Sequence, residues 1–254
     1  MRQKLEDAIK RYGLSHMHAD IVNMVFPTIM VKPERQEMIP EGQSKMGGFP
    51  DFPKDWEYPT YKDIPLQFIA QLNLTELAVF SQASVLPHKG MLYFFYLEDA
   101  GDDIVWGEPH QKDGWRVLYF DGDVSELQTV QGASHVYPQC ALSFWEEERL
   151  QELFIEDEAD SDKYYAMVEE LYPETYDYHQ ILGYPRALQN EVFEEIADMT
   201  EKRQDEYVLL LQVDSDEQNL NMLWGDSGML YYCITKEDLA NERFENSWLL
   251  MQCL

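Results

Sequence analysis

Residues 66–73 alternate, with Leu66, Phe68, Ala70 and Leu72 on one face and Gln67, Ile69, Gln71 and Asn73 on the other, which is the period of a strand. A β-prone run follows at residues 91–96, and residues 115–120 give a third strand candidate, closed by Asp121-Gly122-Asp123. The same succession recurs later. Strands are predicted over 207–213 and 229–234, then a short helix from Thr235 and a last strand near 247–253. The two stretches carry matching strings. Gly48-Phe49-Pro50 pairs with Gly183-Tyr184-Pro185, and Phe68-Ile69-Ala70-Gln71-Leu72-Asn73 with Leu209-Leu210-Leu211-Gln212-Val213-Asp214. Gly90-Met91-Leu92-Tyr93-Phe94 then pairs with Gly228-Met229-Leu230-Tyr231-Tyr232, and Trp115-Arg116-Val117-Leu118 with Trp248-Leu249-Leu250-Met251. A kept order with unequal spacers is expected of two copies of one folding unit.

Helical spacing appears mostly outside these strings. Leu5, Ala8, Ile9 and Tyr12 make one face of a first helix over 2–12, ended at Gly13. The apolar group Ile21-Val22-Asn23-Met24-Val25-Phe26 precedes Pro27, and residues 32–48, polar and rich in Pro, Glu and Gly, read as a loop. A short helix is predicted at 75–80. Ser143 followed by Glu146 resembles a capping box, with Leu150, Leu153 and Phe154 as the apolar face of a helix behind it. The run Glu156-Asp157-Glu158-Ala159-Asp160-Ser161-Asp162 is expected to be solvated, with helices over 163–171 and 188–203 beyond it. The predicted class is α+β: internally duplicated, mainly antiparallel β units forming two pseudo-symmetric halves, with helices at the N-terminus and in an acidic insert. Residues 1–254 read as a single domain, with copy one at about 44–123, the insert at about 143–178 and copy two at about 180–254.

Charge narrows the partners. Nineteen basic residues stand against 48 acidic ones, a formal net charge of −29, which opposes binding to phosphate backbones and anionic lipid surfaces. Nucleic acid and membrane are therefore not expected as partners, whereas the charge is compatible with a basic protein partner, a bound cation or simple solubility. The sequence Met1-Arg2-Gln3-Lys4-Leu5-Glu6-Asp7 has no apolar run after its charges and does not read as a secretory signal. Cys140, Cys233 and Cys253 show no CxxC spacing, which suits a reduced, cytoplasmic setting.

Four motifs in order carry a resemblance to a known family: Ser44-Lys45-Met46-Gly47-Gly48-Phe49-Pro50; Pro65-Leu66-Gln67-Phe68-Ile69-Ala70-Gln71-Leu72-Asn73-Leu74; Gly90-Met91-Leu92-Tyr93-Phe94-Phe95-Tyr96; and Trp224-Gly225-Asp226-Ser227-Gly228. From about residue 44 onward the chain resembles the YwqG-like family of bacterial proteins. The resemblance implies a cytoplasmic protein of unassigned function and supports the α+β, duplicated reading. It implies no catalytic or ligand-binding residues.

The candidate chemistry is sparse. Gly225-Asp226-Ser227-Gly228 matches the nucleophile string of trypsin-like proteases, but the corresponding turn, Pro87-His88-Lys89-Gly90, keeps only the glycine, so a turn is expected. Asp214, Asp216 and Asp226 offer hard oxygen ligands to a divalent cation, without the spacing of an EF-hand, against the plainer reading of a solvated loop. Glu98, Asp99, Asp102, Asp103, Asp121 and Asp123 are weaker versions of the same idea. His16 and His18 lack a third convergent ligand nearby in sequence, and Cys233, within an apolar strand, is expected to be an inert buried thiol. Gln71 and Gln212 are the polar residues shared by both copies. They are expected to bond backbone groups between the halves, with ligand contact as the sharper alternative. Trp56, in Asp55-Trp56-Glu57-Tyr58-Pro59, is the candidate exposed aromatic contact.

Two functional classes follow. The leading one is a non-enzymatic, acidic protein-interaction module, of which an immunity-type protein binding a basic partner is a concrete version. The other is a small-molecule or divalent-metal-dependent enzyme with its site between the two copies.

Overall fold

The computed structural model describes residues 2–98, 104–133, 135–151, 153, 155–173 and 178–254. Asp99, Asp102, Asp103 and Phe154, named above as candidates, lie outside the described residues. In chain order the strands are β1 (Val25–Arg35), β2 (Lys45–Met46), β3 (Asp51–Pro53), β4 (Thr60–Tyr61), β5 (Ile64–Pro65), β6 (Gln67–Asn73) and β7 (Met91–Tyr96). Then come β8 (Trp115–Phe120), β9 (Leu127–Thr129), β10 (Cys140–Leu150), β11 (Gln180–Ile181), β12 (Tyr207–Asp214), β13 (Met229–Thr235) and β14 (Trp248–Gln252). The helices are α1 (Arg2–Arg11), α2 (His18–Asn23), α3 (Leu74–Leu77), α4 (Glu158–Leu171), α5 (Val192–Thr200) and α6 (Lys236–Ala240).

One sheet organises the chain. Its ten strands run in the order β14-β13-β12-β11-β1-β10-β2-β6-β7-β8, and every neighbouring pair is antiparallel. The centre is the long β1–β10 ladder, which runs from Val25 opposite Leu150 to Arg35 opposite Cys140. Outward on either side come a two-residue strand and then three longer ones. Both inner long pairs shift register near their start, between Phe68 and Ala70 and between Leu209 and Leu211.

The two ends of the sheet curl toward each other into a nearly closed, barrel-like form. Trp115 on β8 meets Trp248 on β14 with ring centroids 5.4 Å apart, and their indole N–H groups donate to Ser247 O and Gly107 O. Further in, Tyr232 Oη donates to Phe95 O, and the Tyr232 ring sits 5.1 Å from Phe94. Gly107 permits this closure: its φ is +108°, and a Cβ there would stand 2.1 Å from Leu249 O. Apolar side chains from both flanks merge in one core, while α5 covers the outside of β12–β14 through Val192, Phe193 and Ile196. A separate cluster unites α1, α2 and α4 through Leu5, Ile9, Ile21, Tyr164 and Met167.

Two sequence expectations are corrected here. Residues 143–150 belong to β10 and not to a helix, because β1 offers an unbroken antiparallel partner along that whole stretch. About a third of the presumed loop, from Lys32 to Arg35 and at Lys45–Met46, is likewise strand. Prolines are rare in central strands, yet β1 holds Pro27 and Pro33. Val31 N donates to His179 O, so alternation aims the nitrogens of residues 27 and 33 away from β10 as well. On that side β11 pairs only at Ile29 and Met30, and the missing N–H groups cost the sheet no ladder bond.

The acidic run also has structure. Asp157 accepts from Asp160 N as the N-cap of α4, with Glu158 and Asp160 in the first turn, where the helix dipole favours negative charge. Among the described residues no helix is long and apolar enough to cross a membrane.

Candidate functional site

Two buried amides hold equivalent bonds on opposite flanks of the sheet. Gln71 Oε1 accepts from Asp51 N at 2.8 Å while its Nε2 donates to Gln43 O at 2.8 Å. Gln212 Oε1 accepts from Arg186 N at 2.9 Å while its Nε2 donates to Tyr178 O at 2.8 Å. Each glutamine thus bonds the chain before and after a tight turn, within its own flank and not across to the other as expected. The turns themselves match, with consecutive left-handed residues at Gly47 and Gly48 (φ +64°, +68°) and at Leu182 and Gly183 (φ +59°, +74°). Tyr93 Oη closes the first onto Asp51 O, and Tyr231 Oη closes the second onto Arg186 O, both at 2.6 Å.

The residues delivered by the turns differ, and the difference makes a site. After the first turn Asp51 points inward, where its carboxylate accepts from Lys45 Nζ at 2.9 Å, Gly42 N, Gln71 Nε2 and Thr129 Oγ1. This pair is sealed, with both side chains under 5% exposed at 4% and 1%, and the surrounding donors offset the cost of burying charge. Opposite Gln212, in the register that Lys45 holds opposite Gln71, stands neutral Gln180. Arg186 follows the second turn and its side chain leaves for the surface, with the guanidinium over the Tyr178 ring at 4.1 Å.

Beside this second turn lies a cavity of about 230 Å³. Phe26 and Thr28 of β1, Arg149 of β10, Tyr164 and Val168 of α4, and Tyr172, Tyr178, Gln180, Tyr184 and Arg186 contribute to its wall. The tyrosine hydroxyls are drawn away into the frame: Tyr164 to Gln151 O, Tyr172 to Glu148 O, and Tyr184 to Glu191 Oε1 at 2.5 Å. Burial pushes the Tyr172 phenol up to about 12, against the pull of Arg149, and raises Tyr184 as well, where Glu191 adds to the effect. These phenols stay neutral at physiological pH, and the cavity meets a guest with aromatic surface.

Two guanidinium groups supply the charge. Arg149 lies 4.9 Å from the Tyr172 centroid and 5.1 Å from that of Tyr178; its Nε donates to Glu147 Oε2 at 2.8 Å, and its Nη2 forms an ion pair with the same oxygen at 2.8 Å. Arg186 also stacks on Tyr178, but among the described residues its guanidinium donates to no oxygen. Arg149 is thus paired with Glu147, which leaves Arg186 as the wall's unpaired cation among the described residues, while the exposed Glu169 is the carboxylate on the same wall.

The residues singled out from sequence lie elsewhere. Asp214 accepts from Tyr178 N and Ser215 N, Asp216 is buried against Asn219, and Asp226 is exposed. Among the described residues no three His, Cys, Asp or Glu side chains converge as a metal site, so these carboxylates are not brought together. Trp56 is half-buried, its ring against Phe52, Tyr93 and Phe120, and is not the free surface aromatic expected. Ser227 sits in a turn closed by Gly228 N to Trp224 O, and His16 and His18 face separate carboxylates, Asp160 and Glu6. Burial pushes the Cys233 thiol well up, as its strand position suggested. Sequence reading passed over Arg149 and Arg186. The available signal was the clustering of Tyr164, Tyr165, Tyr172, Tyr178 and Tyr184 between them, masked by the acidic run.

A family profile described as a domain of unknown function (DUF1963) matches residues 44–253. No curated protein matches the sequence.

Asp216 yields a measurable electrostatic consequence. Burial works to raise its carboxyl, yet His179 beside it and the two bonds from Asn219 prevail and hold it down to about 2. A carboxyl lowered in the folded state stabilises the fold fully above the unfolded value near 3.8, and that contribution is lost as pH falls through about 2. Urea unfolding of wild type and Asp216→Asn between pH 2 and pH 6 is expected to show a stability gap that is constant above about pH 4. The gap should shrink as the pH is lowered, and a gap independent of pH contradicts the assignment.

Proposed function

The chain belongs to the DUF1963 family, a domain of unknown function, and we propose that it is a small-ligand-binding protein whose site is the tyrosine-walled cavity between the central strands and α4. The observation that carries this reading is the pairing of that cavity with Arg186, whose guanidinium has no ion-pair partner among the described residues, in a chain of formal charge −29 where unpaired positive charge is scarce. At about 230 Å³ the cavity falls below the roughly 300–1,000 Å³ typical of pockets for drug-sized ligands, so its guest is compact. The wall contributes mainly phenols and arginines, its one carboxylate, Glu169, is exposed, and no histidine lines it, which favours binding over proton-transfer chemistry.

The matched glutamine bonds and the sheet order support internal duplication, and the motifs support placement within the YwqG-like proteins. Three free cysteines suit the cytoplasmic setting proposed for them. In that frame copy one keeps a sealed ion pair, and copy two has exchanged it for a binding site.

Thermal unfolding with millimolar compact planar compounds, charged and uncharged, tests the ligand reading. At least one chemical class is expected to raise the melting temperature of the wild type, since a ligand that binds only the folded state stabilises it. Val168→Trp, which fills the cavity from α4, should remove that shift. No shift in the wild type, or one that survives in Val168→Trp, overturns the reading.

The net charge supports a second reading, in which the acidic surface steers a basic protein partner onto the chain. Association with such a partner should weaken steeply between about 50 mM and 200 mM salt, as screening shortens the reach of surface charge. Retention of no basic protein at the lower salt contradicts it.

A further inference from the structure

The charge balance around the cavity narrows the guest, on the premise that the cavity binds a small ligand. Arg149 is neutralised in place, because Glu147 Oε2 accepts from its Nε and forms an ion pair with its Nη2. Arg186 is not: its backbone N–H and carbonyl belong to the Gln212 and Tyr231 bonds, while its guanidinium rests on Tyr178 and meets no carboxylate among the described residues. Stacking occupies the face of a guanidinium and leaves its N–H edge free, which is the edge that receives two oxygens in parallel. Among the described residues the wall therefore carries one guanidinium without an ion-pair partner, a planar fork at the mouth of an aromatic cavity, with the exposed Glu169 the one carboxylate that shares the wall.

From this we infer that the ligand is a compact planar monocarboxylate, with its carboxylate paired two-pronged to Arg186 and its ring among Tyr164, Tyr172 and Tyr178. A carboxylate matches the one guanidinium that has no ion-pair partner among the described residues. A phosphate ester brings close to two negative charges against one guanidinium, and its approach is opposed about twice as strongly by a protein of formal charge −29. A neutral ring gains the stacking but leaves the Arg186 edge to water. The identity of residue 186 also decides the matter by position. The corresponding turn of the other flank carries Asp51, which is consumed by Lys45 inside the protein. The turn holds Arg186 through its backbone bonds while its side chain stacks on Tyr178, so the N–H edge is open to a guest and replacing the side chain leaves the turn intact.

Benzoate, benzamide and phenyl phosphate are matched probes, titrated by calorimetry or ligand-detected NMR against wild type, Arg186→Gln, Arg186→Lys and Val168→Trp. Benzoate is expected to bind wild type about tenfold or more tightly than benzamide, the equivalent of one charge-assisted pair, and more tightly than phenyl phosphate. Arg186→Gln should bring benzoate down to the level of benzamide without changing benzamide, and Arg186→Lys, which keeps the charge but not the fork, should fall between. Circular dichroism and urea unfolding of the Arg186 variants should match wild type. If benzamide binds as well as benzoate, or Arg186→Gln leaves benzoate unaffected while Val168→Trp abolishes both, the carboxylate assignment is overturned and the cavity reading stands. Tightest binding by phenyl phosphate overturns the monoanion in favour of a dianion. Absence of binding by all three probes and by every other compact planar compound removes the cavity reading itself, and the carboxylate assignment with it.

Discussion

Two side-chain amides with no exposed surface, Gln71 and Gln212, are what the turns at both flanks of the sheet depend on. A buried amide left unpaired costs about 1–3 kcal/mol for each lost group, so each glutamine requires backbone partners. It finds them on either side of a left-handed turn and binds the entering and leaving chain together. The turn geometry is demanding. Gly183 has Thr28 so close that a Cβ would come within 2.7 Å of it, and Leu182 holds a backbone conformation that costs on the order of 1–3 kcal/mol without support. The amide and the tyrosine hydroxyl behind it are that support.

Once the turn is held, the residue that leaves it is free to differ. In one flank it is Asp51, drawn into an interior ion pair that needs all of its surrounding donors to be tolerable, since removing one partner of such a pair typically costs about 3–5 kcal/mol. In the other it is Arg186, turned outward over Tyr178 beside a cavity. The same restraint serves stability on one side and recognition on the other. The cavity exists because the short β11 leaves part of β1 uncovered, and α4 with the tyrosines around it arches over the gap without filling it.

Strand positions were legible wherever alternation met β-prone side chains, as in β6, β7, β12 and β13, and so was the shared glutamine pair. The central ladder was not. Pro27 and Pro33 argue against a central strand in sequence, and only the register shows that their missing N–H groups face the side where β11 pairs at Ile29 and Met30 but not at the prolines. Ser143 and Glu146 imitate a helix start, yet the extended partner β1 decides the outcome, because tertiary pairing outweighs a local capping signal worth about 1 kcal/mol. Trp56 looked exposed because its neighbours in sequence are charged, whereas its neighbours in space are Phe52 and Tyr93. The cavity was illegible for a related reason. Its arginines come from β10 and from the turn after β11, and the acidic residues between them dominate any local composition while contributing little to its wall.

Native-state amide hydrogen exchange at Asp51 and Arg186, resolved by NMR, is the most direct measure of whether one clamp governs both flanks. Both N–H groups end on a buried glutamine oxygen, so both should be strongly protected and exchange only through large-scale opening, at rates within about tenfold of each other. An Arg186 amide that exchanges like an exposed turn while Asp51 remains protected would contradict the account. It would mean that Gln212 does not hold the turn that places the arginine.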